Sequence, residues 1–179
     1  KARNIFKDVK YEVKDGSENN LKIIDISVEE RPTGEISAGA GVGTSGGTFA
    51  FTVKENNWMG EGNTVAFDIE IDEESLTGTL RYVNPNYDFL GNTLNYSLSS
   101  TSNDKPEQGY ENSVLTAGIG TSFEQYRDII ASLGLSASYD DLKTTDNASA
   151  SLKKQSGNFS EIAGNYGFTF DKRNRAFMP

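Results

Sequence analysis

The sequence predicts a mainly β protein: an antiparallel transmembrane β-barrel, of which this chain supplies about eight strands, preceded by a short segment of another domain. From Thr33 onward, apolar residues alternate with small or polar ones almost without interruption, as in strands that bury one face. Most of these strands approach the ~9–11 residues that cross a bilayer when tilted. The connections alternate between polar loops and compact, aromatic-rich turns, which is typical of outer-membrane barrels.

The composition excludes several classes of protein. The chain has 179 residues but no Cys and no His. Disulfides, thiolate or imidazole metal sites and a Ser-His-Asp triad are therefore excluded, and only carboxylates, Lys, Tyr and hydroxyl groups could do chemistry. No stretch approaches the ~18 consecutive apolar residues of a spanning helix. A net charge of -9 argues against nucleic acid as a partner.

Residues 1–31 differ from the rest of the chain. The pattern predicts the tail of a helix from Lys1 to about Lys7, then strands around residues 9–13 and 21–28 with a turn at Asp15 between them. This segment contains seven basic and seven acidic residues, so the remainder carries the whole net charge. Pro32 favours an extended connection at the junction. We therefore place a domain boundary between residues 1–31 and 32–179.

Eight strands are predicted after the junction, with no convincing helix between them. They lie at about residues 33–43, 49–53, 65–72, 76–82, 94–98, 115–119, 133–139 and 162–170. The longest connection is the polar segment 140–158. The compact connections, after every second strand and after the last, are expected to contain the aromatic and proline residues Trp58, Pro85, Tyr87, Phe89, Phe123, Tyr126 and Phe177.

Two other structures fit the alternation. A soluble β-sandwich also alternates with period 2, but the polar faces here contain Gly, Ser, Ala and Thr rather than Lys and Glu, which suits a packed lumen better than solvent. A passive porin is the second alternative. The acidic run at residues 68–74 is interpreted as a hydrophilic lumen wall, with an oxygen-ligand cation site as the alternative.

Four short motifs occur in register with the strands. The first is at the domain junction and contains Glu29, Glu30, Arg31 and Pro32. The second is in the turn after strand two and contains Asn57, Trp58, Gly60 and Gly62. The third closes strand four with Asn84 and Pro85. The fourth follows strand eight and contains Asp171, Arg173 and Pro179, with Asp171 and Arg173 expected to pair. Together these motifs resemble the BamA family of outer-membrane-protein assembly factors, over essentially the whole chain.

The resemblance implies an architecture. Residues 1–31 would be the end of the last periplasmic POTRA domain, whose order of elements is β-α-α-β-β, and residues 32–179 would be the first half of a sixteen-stranded barrel. The chain would then be a piece of a longer protein, because the rest of the barrel and the family's Val-Arg-Gly-Phe-type lumen loop are absent from it. Eight such strands have an unpaired edge and are not expected to close alone.

The resemblance also implies a function: folding and inserting other β-barrels into the outer membrane of a Gram-negative bacterium, without ATP, enzymatic activity or cofactors. The implied partners are nascent outer-membrane proteins, accessory assembly lipoproteins and outer-membrane lipid, with residues 1–31 in the periplasm. A two-partner secretion or translocation-module transporter of the same superfamily is the alternative.

The first barrel strand offers a physical basis for such a function. Its small side chains pair weakly across strands and its glycines destabilise it. An edge that opens could accept an incoming strand by β-augmentation, mainly through backbone hydrogen bonds. The alternative is that small residues merely make room in the lumen. The expected gate residues are Gly34, Ile36, Ala38, Gly39, Ala40, Gly41, Val42 and Gly43.

Overall fold

The structure, a computed structural model, describes residues 5–18, 20–43 and 46–172. Its strands are β1 (Phe6–Asp15), β2 (Lys22–Glu30), β3 (Gly34–Gly43), β4 (Gly46–Trp58), β5 (Asn63–Asp72), β6 (Ser75–Asn84), β7 (Thr93–Lys105), β8 (Tyr110–Tyr126), β9 (Ile129–Thr144) and β10 (Gly157–Phe170). A one-turn helix, α1 (Ala150–Lys153), precedes β10. In the described part of the chain, no helix is long and apolar enough to span a membrane.

Strands β1 and β2 form a separate antiparallel hairpin. The backbone N–H of Gly16 donates to the carbonyl of Leu21 at 3.0 Å and closes the turn. The prediction of a helical tail up to about Lys7 is wrong for the described residues, because Phe6 and Lys7 already belong to β1. Lys7 lies opposite the end of β2, where its ammonium contacts Glu29 at 2.6 Å.

Strands β3 to β10 form one antiparallel sheet in chain order, as predicted for part of a barrel. The register places the apolar set of every strand on the same face. One row of direct cross-strand partners runs across this face from β4 to β10. In strand order it contains Val53, Phe67, Leu80, Leu98, Ala117, Ala137 and Ile162. Because strand side chains alternate between faces, the small and polar sets fall together on the other face.

This sheet has no packed core. Among the described residues, only Ala66, Ala131, Ala148, Asn63 and the glycines Gly62 and Gly109 are buried. Large apolar side chains of the shared face are exposed, with Leu98 at 46% and Ile162 at 82%. A sandwich would cover this face with a second sheet, and none of the described residues does so. The soluble-sandwich alternative is therefore excluded for the described chain, and the sheet is an open part of a barrel.

The polar face accounts for the acidic run. The Asp68 carboxylate accepts hydrogen bonds from Thr52 and Arg81, each at 2.7 Å. Asp72 accepts from the Ser75 hydroxyl at 2.7 Å, and Glu74 pairs with the ammonium of Lys105. Within the described ranges, no group of three or more acidic residues could hold a metal ion. These contacts favour the hydrophilic-wall interpretation over a cation site.

Several predicted connections are shorter than expected, among them the one between β7 and β8, which contains only residues 106–109, and those on either side of β9. β8 and β9 pair through Phe123 and Tyr126, leaving a two-residue turn where a longer one was predicted. At their other end, pairing reaches Thr144, so the predicted 140–158 loop begins later and contains α1. Backbone pairing continues past the last apolar residue because the ladder bonds involve no side chain. Phe177 lies outside the described residues.

The sheet has two distinct ends. We call one end the turn end; it contains the β4–β5, β6–β7 and β8–β9 connections. The opposite end, which contains the β3–β4, β5–β6, β7–β8 and β9–β10 connections, is the loop end. Thr33 and the start of β3 lie at the turn end because the strands alternate in direction.

Candidate functional site

The first barrel strand, β3, is an edge of the eight-stranded sheet. It pairs with β4 along its whole length, from Gly34 opposite Glu55 to Gly43 opposite Gly46. Its other side carries a row of backbone groups that no described strand pairs with. The large apolar residues of β3 are well exposed, Ile36 at 75% and Val42 at 92%. Such an edge is a template for an added strand.

The glycines of β3 are not explained by crowding in this structure. Gly39, Gly41 and Gly43 share the polar face. A Cβ placed on any of them would meet no described atom within 4 Å. No described neighbour therefore needs the space that these glycines leave, and their effect on the strand is a loss of side-chain contacts and of rigidity.

The turn end of β3 is held differently, by polar side chains. The Thr33 hydroxyl donates to the Glu55 carboxylate, and the same Oε1 accepts from the Asn57 N–H at 2.7 Å. The Asn56 side-chain amide donates to the Thr33 carbonyl at 3.1 Å and to the Glu35 carboxylate at 2.8 Å. The backbone N–H of Asn56 also donates to the Thr33 carbonyl, at 3.3 Å. We call Thr33, Glu55 and Asn56 the base cluster.

The predicted junction residues connect the two sheets. Glu29 and Glu30 are the last residues of β2, and Arg31 and Pro32 lead directly to Thr33. The backbone N–H of Arg31 donates to the carbonyl of Ile5 at 3.2 Å. The junction therefore joins the N-terminal hairpin to the base cluster through a two-residue link.

The motif at residues 57–62 forms a tight turn. Met59 and Gly60 have positive φ values of 56° and 78°. The Glu61 N–H donates to the carbonyl of Trp58 at 3.3 Å. The Asn57 side-chain oxygen accepts from the N–H of Gly62 at 2.7 Å. The turn thus depends on the side-chain oxygen of Asn57 and on the conformational freedom of Gly60 and Gly62. Gly60 follows Met59, whose backbone is also in the left-handed region.

Of the other predicted turn residues, Asn84, Pro85 and Asp171 also lie at the turn end. The Asn84 side-chain oxygen accepts from the N–H of Asn86 at 3.0 Å, next to Pro85. The Asp171 N–H donates to the carbonyl of Asp128 in the β8–β9 turn at 2.9 Å. Arg173 and Pro179 lie outside the described residues, as does the expected Asp171–Arg173 pair.

The structure brings the junction, the start of β3 and Asn57 together, whereas the Asn84–Pro85 and Asp171 turns are placed several strands away along the same end. Sequence reasoning missed the base cluster. A signal was present, because the alternation that gives Phe49, Phe51 and Val53 would place another apolar residue at position 55, where the chain has Glu.

Comparison with known proteins agrees with this fold. The chain is similar to the crystal structure of BamA from Haemophilus ducreyi lacking POTRA domains 1–3, with a TM-score of 0.77 and 18% sequence identity. The match covers 99% of this chain but only 37% of that one. At this identity the likeness concerns the fold.

The sequence itself also matches a family. The Omp85 superfamily domain matches residues 57–179, from the Asn57 turn to the end of the chain. This is more than half of the chain, and it includes β5 to β10. The chain therefore belongs to the Omp85 superfamily.

Proposed function

We propose that this chain is part of a machinery that folds and inserts β-barrel proteins into the outer membrane of a Gram-negative bacterium. The superfamily match and the BamA-like fold support a role in outer-membrane protein assembly. In this proposal β3 is a gate strand: its free edge receives a strand of the incoming protein by backbone pairing. The process needs neither ATP nor a cofactor, because strand pairing and membrane burial supply the driving force.

The composition of β3 supports the gate most directly: of the two edge strands, β3 has small side chains along most of its length, whereas β10 contains Tyr166, Phe168 and Phe170. Backbone donors and acceptors on this edge offer affinity with little side-chain selection. A client strand could therefore pair with β3 whatever its sequence. An interior strand of the same sheet offers no such edge, because both its sides are already paired.

The remaining parts of the chain have proposed roles consistent with this one. The apolar face of the sheet contacts membrane lipid, and the β1–β2 hairpin is the end of a periplasmic POTRA domain joined to the barrel at Glu29–Pro32. Clients, accessory lipoproteins and lipid are the proposed partners. Tyr11 of the hairpin is 77% exposed, so the hairpin offers surface for such contacts.

The test is to stiffen β3 in the full-length protein. Gly39→Val and Gly41→Val add β-branched side chains where the structure has open space, so the fold should tolerate them. We expect the double variant to insert a client barrel into liposomes about fivefold more slowly than the parent, because a stiffer strand exchanges partners less readily. The measurement is the rate at which the client becomes protease-resistant.

A control for the substitution itself is Gly78→Val in β6, an interior strand where an added Cβ also meets no described atom within 4 Å; Gly78 lies on the apolar face, with Leu76 and Leu80. It should insert clients at the parental rate. An unchanged rate in the Gly39/Gly41 variant would contradict the gate. Client released to the far side of the membrane, rather than integrated, would instead indicate a secretion transporter.

A further inference from the structure

The apolar face of the sheet has a depression across β7, β8 and β9. Thr121 of β8 belongs to this face and pairs with Leu94 on one side and Leu133 on the other. Because threonine is shorter than leucine, the surface is lower at Thr121 than at its two partners. In the next row toward the loop end, Gly164 has no side chain to fill the space beside Leu135. We call this depression, at Leu94, Thr121 and Leu133, the leucine groove; its volume is about 650 Å³.

A second, more polar depression follows toward the turn end, with a volume of about 430 Å³. Phe123 comes after Thr121 on the same face of β8, and it lines this depression. Tyr126 pairs with Ile129, which also belongs to the apolar face, and Arg127 follows in the two-residue turn. The two depressions therefore lie in succession along β8, the apolar one nearer the middle of the sheet and the cationic one at its turn end.

The β6–β7 turn forms the opposite wall of the polar depression and is itself held in place. Leu90 and Asn92 of this turn line the depression. The Asp88 carboxylate accepts from their backbone N–H groups at 3.0 and 3.1 Å, and from the Asn92 side-chain amide at 2.7 Å. The wall is thus preorganised, and a preorganised site loses less conformational freedom when a ligand binds.

Arg127 contributes a positive charge that is not taken up by the described chain. Its side chain is exposed and forms no ion pair or hydrogen bond with another described residue. Glu124 also lines the depression, but the register places it with Ile130 in the row of the polar face. A guanidinium binds phosphate through two parallel hydrogen bonds, which makes arginine a preferred partner of phosphate groups.

The dimensions along β8 fit one leaflet of a bilayer. From Phe123 to Ile119, at the far end of the leucine groove, the strand advances by four residues, or ~13 Å at the usual rise of a strand. The hydrocarbon core is ~30 Å thick, so a groove that starts at the membrane surface ends before the midplane. A phospholipid carries its phosphate at the surface and its acyl chains below, in the same order as the two depressions.

We propose that this surface binds one phospholipid of the leaflet at the turn end, with its phosphate at Arg127 and one acyl chain in the leucine groove. The inference rests on the part of the proposed function that places the apolar face in membrane lipid, and not on the gate. The bound lipid bridges the β6–β7 and β8–β9 turns, which lie several strands away from the proposed gate strand β3. Charge and shape select the same molecule, so it exchanges more slowly than the lipids around it.

The experiment uses the full-length protein in phosphatidylcholine vesicles with a small share of phosphatidylglycerol that carries a photoreactive diazirine in one acyl chain. After illumination, mass spectrometry of peptides locates the labelled residues. We expect Leu94 and Leu133 to be labelled about fivefold more than Val65 and Tyr82, which belong to the same face but lie outside the groove. This ratio, taken within each variant, is the readout.

Two variants test the two ends of the site. Arg127→Gln should lower the ratio about fivefold, because it removes the charge-assisted hydrogen bonds to phosphate. Its control is Lys154→Gln in the β9–β10 loop, which makes the same change of charge at the loop end and should leave the ratio unchanged. Thr121→Phe should lower the ratio by a similar factor, because the ring fills the groove. Its control is Thr121→Val, which also loses the hydroxyl that donates to the Thr93 carbonyl at 2.9 Å but keeps the volume.

A loss of labelling in both variants and in neither control would support the inference. Equal labelling inside and outside the groove of the parent would indicate ordinary lipid contact only and would overturn it. A groove left unlabelled beside a labelled Tyr82 would show that protein covers it, either a second copy or another segment, and would overturn the inference too. Enrichment that survives Arg127→Gln would contradict phosphate recognition.

The same measurement separates this inference from the proposed function. Labelling of Val65 and Tyr82 in every variant shows that the sheet is folded in the membrane, whatever happens at the groove. No label anywhere on the apolar face of the parent would contradict the proposed membrane contact itself. The gate is judged independently, by client insertion in the Gly39/Gly41 variant.

Discussion

At the scale of single residues, the turn at residues 57–62 shows how backbone conformation selects residue types. Met59 and Gly60 both have positive φ, which pairs of residues adopt in the tight hairpin turns that match strand twist. A Cβ added to Gly60 would meet no described atom within 4 Å, so only the backbone conformation requires glycine there. Trp58 beside it is 44% exposed, as expected for an aromatic residue at a membrane surface.

We expect Gly60→Ala to lower the free energy of unfolding by about 1 kcal/mol, because alanine is strained at a φ of 78°. Urea unfolding of the full-length protein in lipid vesicles measures this change. This loss of stability should come from backbone strain alone, because the added methyl group contacts no described atom.

The control is Gly78→Ala in β6, where the backbone is extended and the new Cβ is also uncontacted. It should raise the free energy of unfolding by about 0.5 kcal/mol, since alanine restricts the unfolded chain. Equal effects of the two substitutions would show that strain at Gly60 is not the cause.

At the scale of one structural element, the β6–β7 turn is organised by a single carboxylate. The Asp88 side chain accepts from the N–H groups of Leu90 and Asn92 at 3.0 and 3.1 Å, and from the Asn92 side-chain amide at 2.7 Å. Desolvation raises the pKa of Asp88, but the hydrogen bonds from Asn92 and Leu90 outweigh it and hold the pKa below its ordinary value. The turn presents Phe89, which is 96% exposed.

This turn should loosen in acid. Because the pKa of Asp88 is lowered by folding, its contribution to stability is present above the ordinary Asp pKa of about 3.9 and is lost as the pH falls through the lower folded value. We expect pepsin to cleave the Phe89–Leu90 bond more slowly in the parent than in Asp88→Asn at about pH 5. The two rates should converge near pH 2.

Comparing parent and variant at the same pH cancels the pH dependence of pepsin itself. A ratio of rates that stays constant between these two pH values would show that the Asp88 carboxylate does not hold the turn.

At the scale of the whole molecule, the continuous apolar face on a single sheet requires an apolar surrounding. Leu98 lies in the row formed with Leu80 and Ala117, and its neighbour Ser97 points to the polar face. We expect Leu98→Arg to lower the free energy of unfolding in vesicles by about 2–4 kcal/mol, the cost of a cation on the lipid face near the bilayer midplane.

Ser97→Arg is the matched control, since the same side chain one residue away would reach the polar face. Its effect should stay below about 1 kcal/mol, the repulsion expected from Arg81 directly opposite on β6. Similar losses for both variants, measured by urea unfolding, would mean that the apolar face does not meet lipid.

Most of the fold is present in the local sequence. The alternation at Phe67, Ile69 and Ile71, and its repetition in seven other segments, predicts every strand of the large sheet, because side-chain period is a property of each strand alone. The Gly-rich first strand and the Asn57–Gly62 turn are also visible in the sequence. The boundary at residue 31 stays a prediction.

Other features depend on which strands meet. The strands β8 and β9 extend through polar residues such as Asp140 because each has a partner for its backbone groups, and no side-chain pattern reveals that. The link from Thr33 to Glu55 and Asn56 joins residues more than twenty positions apart and requires the β3–β4 register, which places Gly34 opposite Glu55. The sequence by itself determined the faces of the strands, because alternation is local. Only the tertiary structure decided where β3 is anchored, because hydrogen bonds between strands depend on register.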